Sequence, residues 1–140
     1  NTGRIVFEGR EMEKIPGVRE MGFGVLEGLS YPEIVQRYAE IYKRWLSDPF
    51  GTQIPEAESL EDFQKRVLTV FGGIIASNQD KAVAIVSHGG VISVFINSIL
   101  KTNEFWKHIP SSASVSIVEA NNAASELRLF NDISHLGGFK

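Results

Sequence analysis

The sequence predicts an α/β fold in which helices are layered against a sheet, and two observations support this. An apolar run rich in β-branched residues, 82–86, is typical of a strand buried on both faces, and it leads directly into His88-Gly89-Gly90 and a helical segment. Apolar residues also recur at helical spacing in the segments 30–47 and 59–77. The expected order is helix, helix, strand, helix, strand, strand.

The residues before the first long helix predict an irregular, shaped segment. Residues 1–10 are typical of the end of a helix, and the sequence does not begin with methionine, so we expect a part of a larger domain. The segment 15–30 contains a proline and four glycines, which favours a loop. Loops on a rigid scaffold often carry function, and this loop holds the carboxylates Glu20 and Glu27. A solvated surface position is the ordinary alternative for either glutamate.

Capping patterns mark the starts of the two long helices. Ser30 and Glu33 have the spacing of a capping box, and Pro49 lies just beyond the end of that helix. Ser59 and Asp62 give the second helix a similar start. The apolar and aromatic side chains along both helices are expected to fill a core rather than to bind a cofactor.

The carboxyl-terminal part predicts a third helix and a hairpin. The helix is expected over 91–100 and is followed by an aromatic turn at 105–106. Strands over 114–119 and 126–130 are expected to pair across the polar residues Asn121 and Asn122.

Composition excludes several classes of function. The 140 residues are 43% hydrophobic, which suits a single domain over 1–140. The net charge of -3 provides no basic surface for nucleic acid or an anionic membrane, and no apolar run is long enough to cross a bilayer. Without cysteine the chain has no thiolate nucleophile or cysteine-bound zinc, and this composition fits a cytoplasmic location.

The turn His88-Gly89-Gly90 is the strongest candidate for a functional site. Ligands of α/β proteins bind beyond the carboxyl ends of strands, and His88 follows such a strand in the prediction. The glycines allow a ligand to approach the backbone, and the start of a helix offers N–H groups that suit phosphate. An imidazole beside an anion site fits phosphoryl chemistry. A capping or solvated histidine would have the same local pattern.

Four segments of the chain, in the same order, resemble motifs of the histidine phosphatase superfamily, the phosphoglycerate-mutase-like proteins. They are the loop 18–29, residues 58–60 with 66–67, the turn 86–92 and the tail 131–136. The resemblance covers nearly the whole chain and is closest to the branch that includes α-ribazole phosphatase. It implies a three-layer sheet with helices on both faces, without the first central strand of that fold.

The resemblance also implies roles for individual residues. In this family a first histidine, within an Arg-His-Gly motif, attacks the phosphoryl group, and His88 matches the second histidine, which stabilises the group in transfer. Glu20 matches the proton donor to the leaving group, and Gly89 is expected to contact phosphate through its backbone. Glu27 and Glu58 are expected to be structural. No metal or other cofactor is implied.

The sequence departs from the family pattern because it contains no Arg-His-Gly. His108 and His135 lie outside that motif, so the nucleophile is expected upstream of Asn1 and the chain alone is expected to be inactive. The favoured function is a phosphomonoesterase that acts on a small phosphorylated metabolite through a phosphohistidine. A mutase of the same family and a non-catalytic phosphate-binding or interaction module stay open, although the short segment between Glu20 and residue 82 favours the phosphatase. An unpaired edge on the strand 82–86 predicts a homodimer or a strand-swapped dimer.

Overall fold

The structure is a computed structural model that describes residues 2–137. In this range the chain forms helices α1 (Thr2–Val6), α2 (Tyr31–Ser47), α3 (Leu60–Ser77) and α4 (Gly89–Leu100), then strands β1 (Val115–Ala120) and β2 (Ser125–Asp132). Short 3-10 turns cover Pro16–Val18, Gly24–Leu26, Phe105–His108 and Ser134–Leu136. The α/β class and the predicted helices are confirmed, with bounds that differ from the expected ones by at most about two residues, an ordinary uncertainty for helix and strand ends.

Two compact units divide the chain. One contains the residues up to Glu20 together with those from Val67 onward, and the other contains Met21–Arg66. The first unit buries Val67, Phe71, Val91, Val94, Ile96 and Phe105. The second unit buries Met21, Leu26, Trp45, Ile54, Leu60 and Phe63. The single domain expected from length alone stays a prediction.

The capping patterns form as the sequence predicts. The N–H and hydroxyl groups of Ser30 both donate to Glu33 Oε2, at 2.8 Å and 2.5 Å. The Asp62 N–H donates to Ser59 Oγ at 3.0 Å, and that hydroxyl donates to Asp62 Oδ2 at 2.7 Å. Both contacts join polar groups that lie three residues apart at the helix start. The residue types and their spacing in the sequence are therefore enough to predict them.

The prediction of a buried strand over 82–86 is wrong. No strand is assigned to these residues, and Val83, Ile85 and Val86 expose 49%, 38% and 44% of their surfaces. A strand requires a neighbour for its N–H and C=O groups, and within residues 2–137 the β-ladder joins β1 to β2 in antiparallel order. The segment nevertheless leads into α4 at His88, as expected.

A buried polar network attaches the 105–108 turn to α4. Asn97 Oδ1 accepts hydrogen bonds from the Thr102 hydroxyl at 2.7 Å and the Glu104 N–H at 3.1 Å, and it lies 3.0 Å from His108 Nδ1. Because a backbone N–H can only donate, this Asn97 atom is the acceptor and His108 Nδ1 carries a proton. Buried polar groups paired in this way fix the turn, and thereby Ile109 after it.

None of the helices in the described part of the chain combines the length and the apolar character that crossing a membrane requires.

Candidate active site

His88 is the residue immediately before α4. Its backbone is extended, with φ -118° and ψ 164°, and its C=O accepts the Ile92 N–H at 3.0 Å. This is the N-cap position of the helix, yet the imidazole makes no capping hydrogen bond and the residue is exposed. The side chain of His88 therefore lies at the helix start without serving as its cap.

Glu20 lies at the same helix start. Its Oε2 accepts the Gly90 N–H at 3.1 Å, although the two residues are 70 positions apart in sequence. Gly90 is buried, and a Cβ on it would lie 2.5 Å from Glu20 Oε1, so this close approach requires glycine. The positive end of the α4 dipole favours a carboxylate at this point. The structure thus brings Glu20 and His88, the two predicted catalytic residues, to one turn of helix.

Two contacts attach the Glu20 loop to this part of the unit. The Ser87 hydroxyl donates to the Val18 C=O at 2.7 Å, so it is a backbone partner, one of the ordinary roles of serine near a turn. Gly17 lies so close to Val70 of α3 that any Cβ at Gly17 would collide with that side chain. These two contacts attach the chain just before Glu20, at Gly17 and Val18.

Gly89, the predicted phosphate contact, is the first residue of α4 and is half-buried. The first N–H groups of a helix have no partner within it and suit an anion. A Cβ on Gly89 would lie 3.3 Å from Ile109 Cγ2, so Ile109 borders the site. No motif or periodicity points to Ile109, because its place depends on how the 105–108 turn folds back onto α4.

The other two loop carboxylates have structural partners in the unit Met21–Arg66. Arg66 donates to both carboxylate oxygens of Glu58, at 2.8 Å and 2.6 Å, and the two side chains are largely buried. Glu27 Oε1 accepts the Phe23 N–H at 2.8 Å. These contacts agree with the structural roles expected for Glu27 and Glu58.

The remaining histidines lie outside the helix start. His108 is buried and hydrogen bonded to Asn97, with its ring edge to face against Phe130 at 5.9 Å. His135 is exposed in the 134–136 turn. Across residues 2–137 no cluster of three or more His, Asp or Glu side chains has the arrangement of a metal site.

Comparison with known proteins identifies relatives among phosphatases. The family profile described as histidine phosphatase superfamily (branch 1) matches residues 1–133. A metal-independent phosphoserine phosphatase from Arabidopsis thaliana is 26% identical over 127 residues, which cover 90% of this chain and 52% of that protein. An adenosylcobalamin/α-ribazole phosphatase from Salmonella typhimurium is 30% identical over 102 residues, which cover 71% of this chain and 50% of that protein.

A solved structure has the same fold. The α-ribazole phosphatase from Shigella flexneri superposes with a TM-score of 0.80 at 26% identity, over 94% of this chain and 67% of that one. The chain spans about half the length of the two sequence relatives, 52% and 50%.

Proposed function

The chain belongs to the histidine phosphatase superfamily, and we propose that it supplies the proton donor and phosphate site of a metal-independent phosphomonoesterase. The observation that carries the proposal is the 3.1 Å hydrogen bond from the Gly90 N–H to Glu20 Oε2. The Glu20 carboxyl group therefore lies beside Gly90, directly after His88 and Gly89. We call His88, Gly89 and Gly90 the phosphate site.

The phosphate site provides the groups that phosphoryl transfer requires. The reaction spreads negative charge over the oxygens of the transferring group, which N–H groups at a helix start and on an imidazole ring stabilise. The Gly89 N–H and the exposed His88 ring are such groups. Glu20 in its acid form protonates the leaving oxygen as the ester bond breaks.

The nucleophile in this proposal is a histidine outside the 140 residues. No Arg-His-Gly occurs in the sequence, His108 is buried against Asn97 and His135 lies in a separate turn. The external histidine forms a P–N bond as the P–O ester bond breaks, and the alcohol leaves with the proton of Glu20. Water then attacks phosphorus as the P–N bond breaks, Glu20 takes a proton from the water, and phosphate and the free histidine result.

The segment that carries this histidine would lie along residues 82–86. Their apolar side chains are exposed, and no strand is assigned to them within residues 2–137. An unpaired extended segment is a template for another strand. When the histidine-bearing segment is absent, we expect a second copy of the chain to pair there, which would give a homodimer.

The substrate we propose is a small phosphorylated metabolite in the cytoplasm. Phosphoserine and α-ribazole phosphate are the first compounds to test, because relatives carry the corresponding names. The net charge of -3 argues against nucleic acid as a partner.

The test is hydrolysis of p-nitrophenyl phosphate in EDTA. It compares the chain alone with a completed protein, in which the chain follows an Arg-His-Gly segment encoded upstream of it. Activity is expected only in the completed protein, with a loss of about 100-fold or more on His88→Ala and little change on His135→Ala. Absence of hydrolysis from the completed protein contradicts the phosphatase proposal and favours a non-catalytic phosphate-binding module.

A further inference from the structure

Helix α4 begins with two glycines, Gly89 and Gly90. Glycine has more backbone freedom than any other residue and therefore weakens a helix. A first turn made of glycines does not by itself fix the direction of its N–H groups. In the proposed function the Gly89 N–H binds phosphate, so contacts from outside the helix must hold the turn.

A side chain from a different part of the chain lies beside each glycine. Glu20 accepts the Gly90 N–H, and a Cβ on Gly90 would lie 2.5 Å from its Oε1. On Gly89, the corresponding Cβ position lies 3.3 Å from Ile109 Cγ2. The Ile109 methyl group thus borders the space that a side chain of Gly89 would occupy.

Ile109 is in turn fixed by α4 itself. The Ser93 hydroxyl donates to the Phe105 C=O at 2.5 Å, and Asn97 Oδ1 lies 3.0 Å from His108 Nδ1. Ser93 and Asn97 are both buried in α4. Buried side chains of α4 therefore hold the 105–108 turn in place. This turn puts the next residue, Ile109, beside the first residue of the same helix.

We propose that Ile109 is a positioning residue of the phosphate site. It does not bind phosphate in this proposal; its Cγ2 methyl group restricts the backbone of Gly89 and so fixes the direction of the Gly89 N–H. The inference rests on the proposed function, because it assigns this N–H to phosphate binding. Preorganisation of this kind strengthens binding by reducing the freedom that is lost when the ligand arrives.

Three substitutions separate the effect of the methyl group from that of side-chain volume. Ile109→Ala removes Cγ2, whereas Ile109→Val keeps the branched Cβ and removes only the terminal methyl. Ile109→Leu has the volume of isoleucine but no methyl group on Cβ. It replaces the alanine variant if that variant folds poorly, although 36% exposure of Ile109 makes truncation tolerable.

The readouts are the NMR order parameter of the Gly89 amide in the free chain and the dissociation constant for inorganic phosphate. We expect Ile109→Ala and Ile109→Leu to lower the order parameter and to weaken phosphate binding about fivefold. Ile109→Val is expected to retain both properties. The Gly72 amide in α3 serves as an internal reference that should not change.

The outcomes distinguish this inference from the proposed function. Phosphate binding that is equal in the alanine, leucine and valine variants overturns the role of Ile109 and leaves the phosphate site intact. Absence of phosphate binding by the unsubstituted chain overturns the phosphate site, and the role of Ile109 with it.

Discussion

Replacing Gly90 with alanine would put a methyl group where the Glu20 carboxylate now lies. The new Cβ would be 2.5 Å from Oε1 and 3.2 Å from Cδ of Glu20, so the carboxylate must move by about 1 Å to reach ordinary contact. The movement breaks the 3.1 Å hydrogen bond from the Gly90 N–H. Losing a hydrogen bond to a charged group costs about 1.5–3 kcal/mol, and alanine in a helix recovers about 0.5–1 kcal/mol. The free energy of unfolding should therefore fall by about 1–2 kcal/mol.

The sign of this effect should reverse when Glu20 is absent. In a Glu20→Ala background no carboxylate obstructs the new methyl group, and only the helix preference of alanine remains. Gly90→Ala should then stabilise the protein by about 0.5–1 kcal/mol. The coupling free energy of the two substitutions is the difference between the two effects, about 2 kcal/mol.

Urea unfolding of the four proteins measures this coupling. Gly72→Ala is the matched control, because a Cβ at that exposed position of α3 meets no atom within 4 Å. It should raise the free energy of unfolding equally in both backgrounds. An effect of Gly90→Ala that is the same with and without Glu20 would refute the close packing of this carboxylate on α4.

Substitutions at three further positions test structural contacts by urea unfolding. Arg66→Ala removes the two hydrogen bonds from Arg66 to the largely buried Glu58 and should cost about 2–3 kcal/mol; a cost near zero would contradict that pairing. Hydrogen bonds from the Ser30 hydroxyl and, to a smaller extent, from the Ser30 N–H lower the pKa of Glu33 in the folded protein. The ionised carboxylate therefore stabilises the fold above the ordinary pKa of glutamate, and this contribution is lost as the pH falls through the folded pKa. Glu33→Gln should accordingly reduce stability at about pH 7 but not at about pH 3, and an equal loss at both would contradict the cap. Asn97→Leu leaves the buried His108 Nδ1–H without its acceptor and should cost about 3 kcal/mol, whereas Asn97→Asp keeps the acceptor and should cost less.

Local features of this fold were predictable from the sequence, and features that depend on distant neighbours were not. The caps at Ser30 and Ser59 form within one helical turn, so their residue types and spacing suffice. The segment 82–86 has the composition of a buried strand, but a strand exists only when another strand pairs with it, and composition contains no information on that partner.

The candidate site shows the same division. Motif resemblance indicated Glu20 and His88 separately, and His88 was also singled out by its place before a helix. The contact between Glu20 and Gly90 spans 70 positions and requires the tertiary fold. Ile109 lies in no motif. Its place beside Gly89 follows from the buried hydrogen bonds that join the preceding turn, at Phe105 and His108, to α4.

The leaving-group dependence of Glu20→Gln in the completed protein is the most direct test that Glu20 and His88 act on one phosphoryl group. Phenolate needs a proton as it leaves, whereas p-nitrophenolate is a stable anion that does not. We predict that Glu20→Gln lowers kcat/KM for phenyl phosphate about 100-fold more than for p-nitrophenyl phosphate, while His88→Ala lowers both equally. An equal loss for the two esters on Glu20→Gln would contradict proton donation by Glu20 at this site.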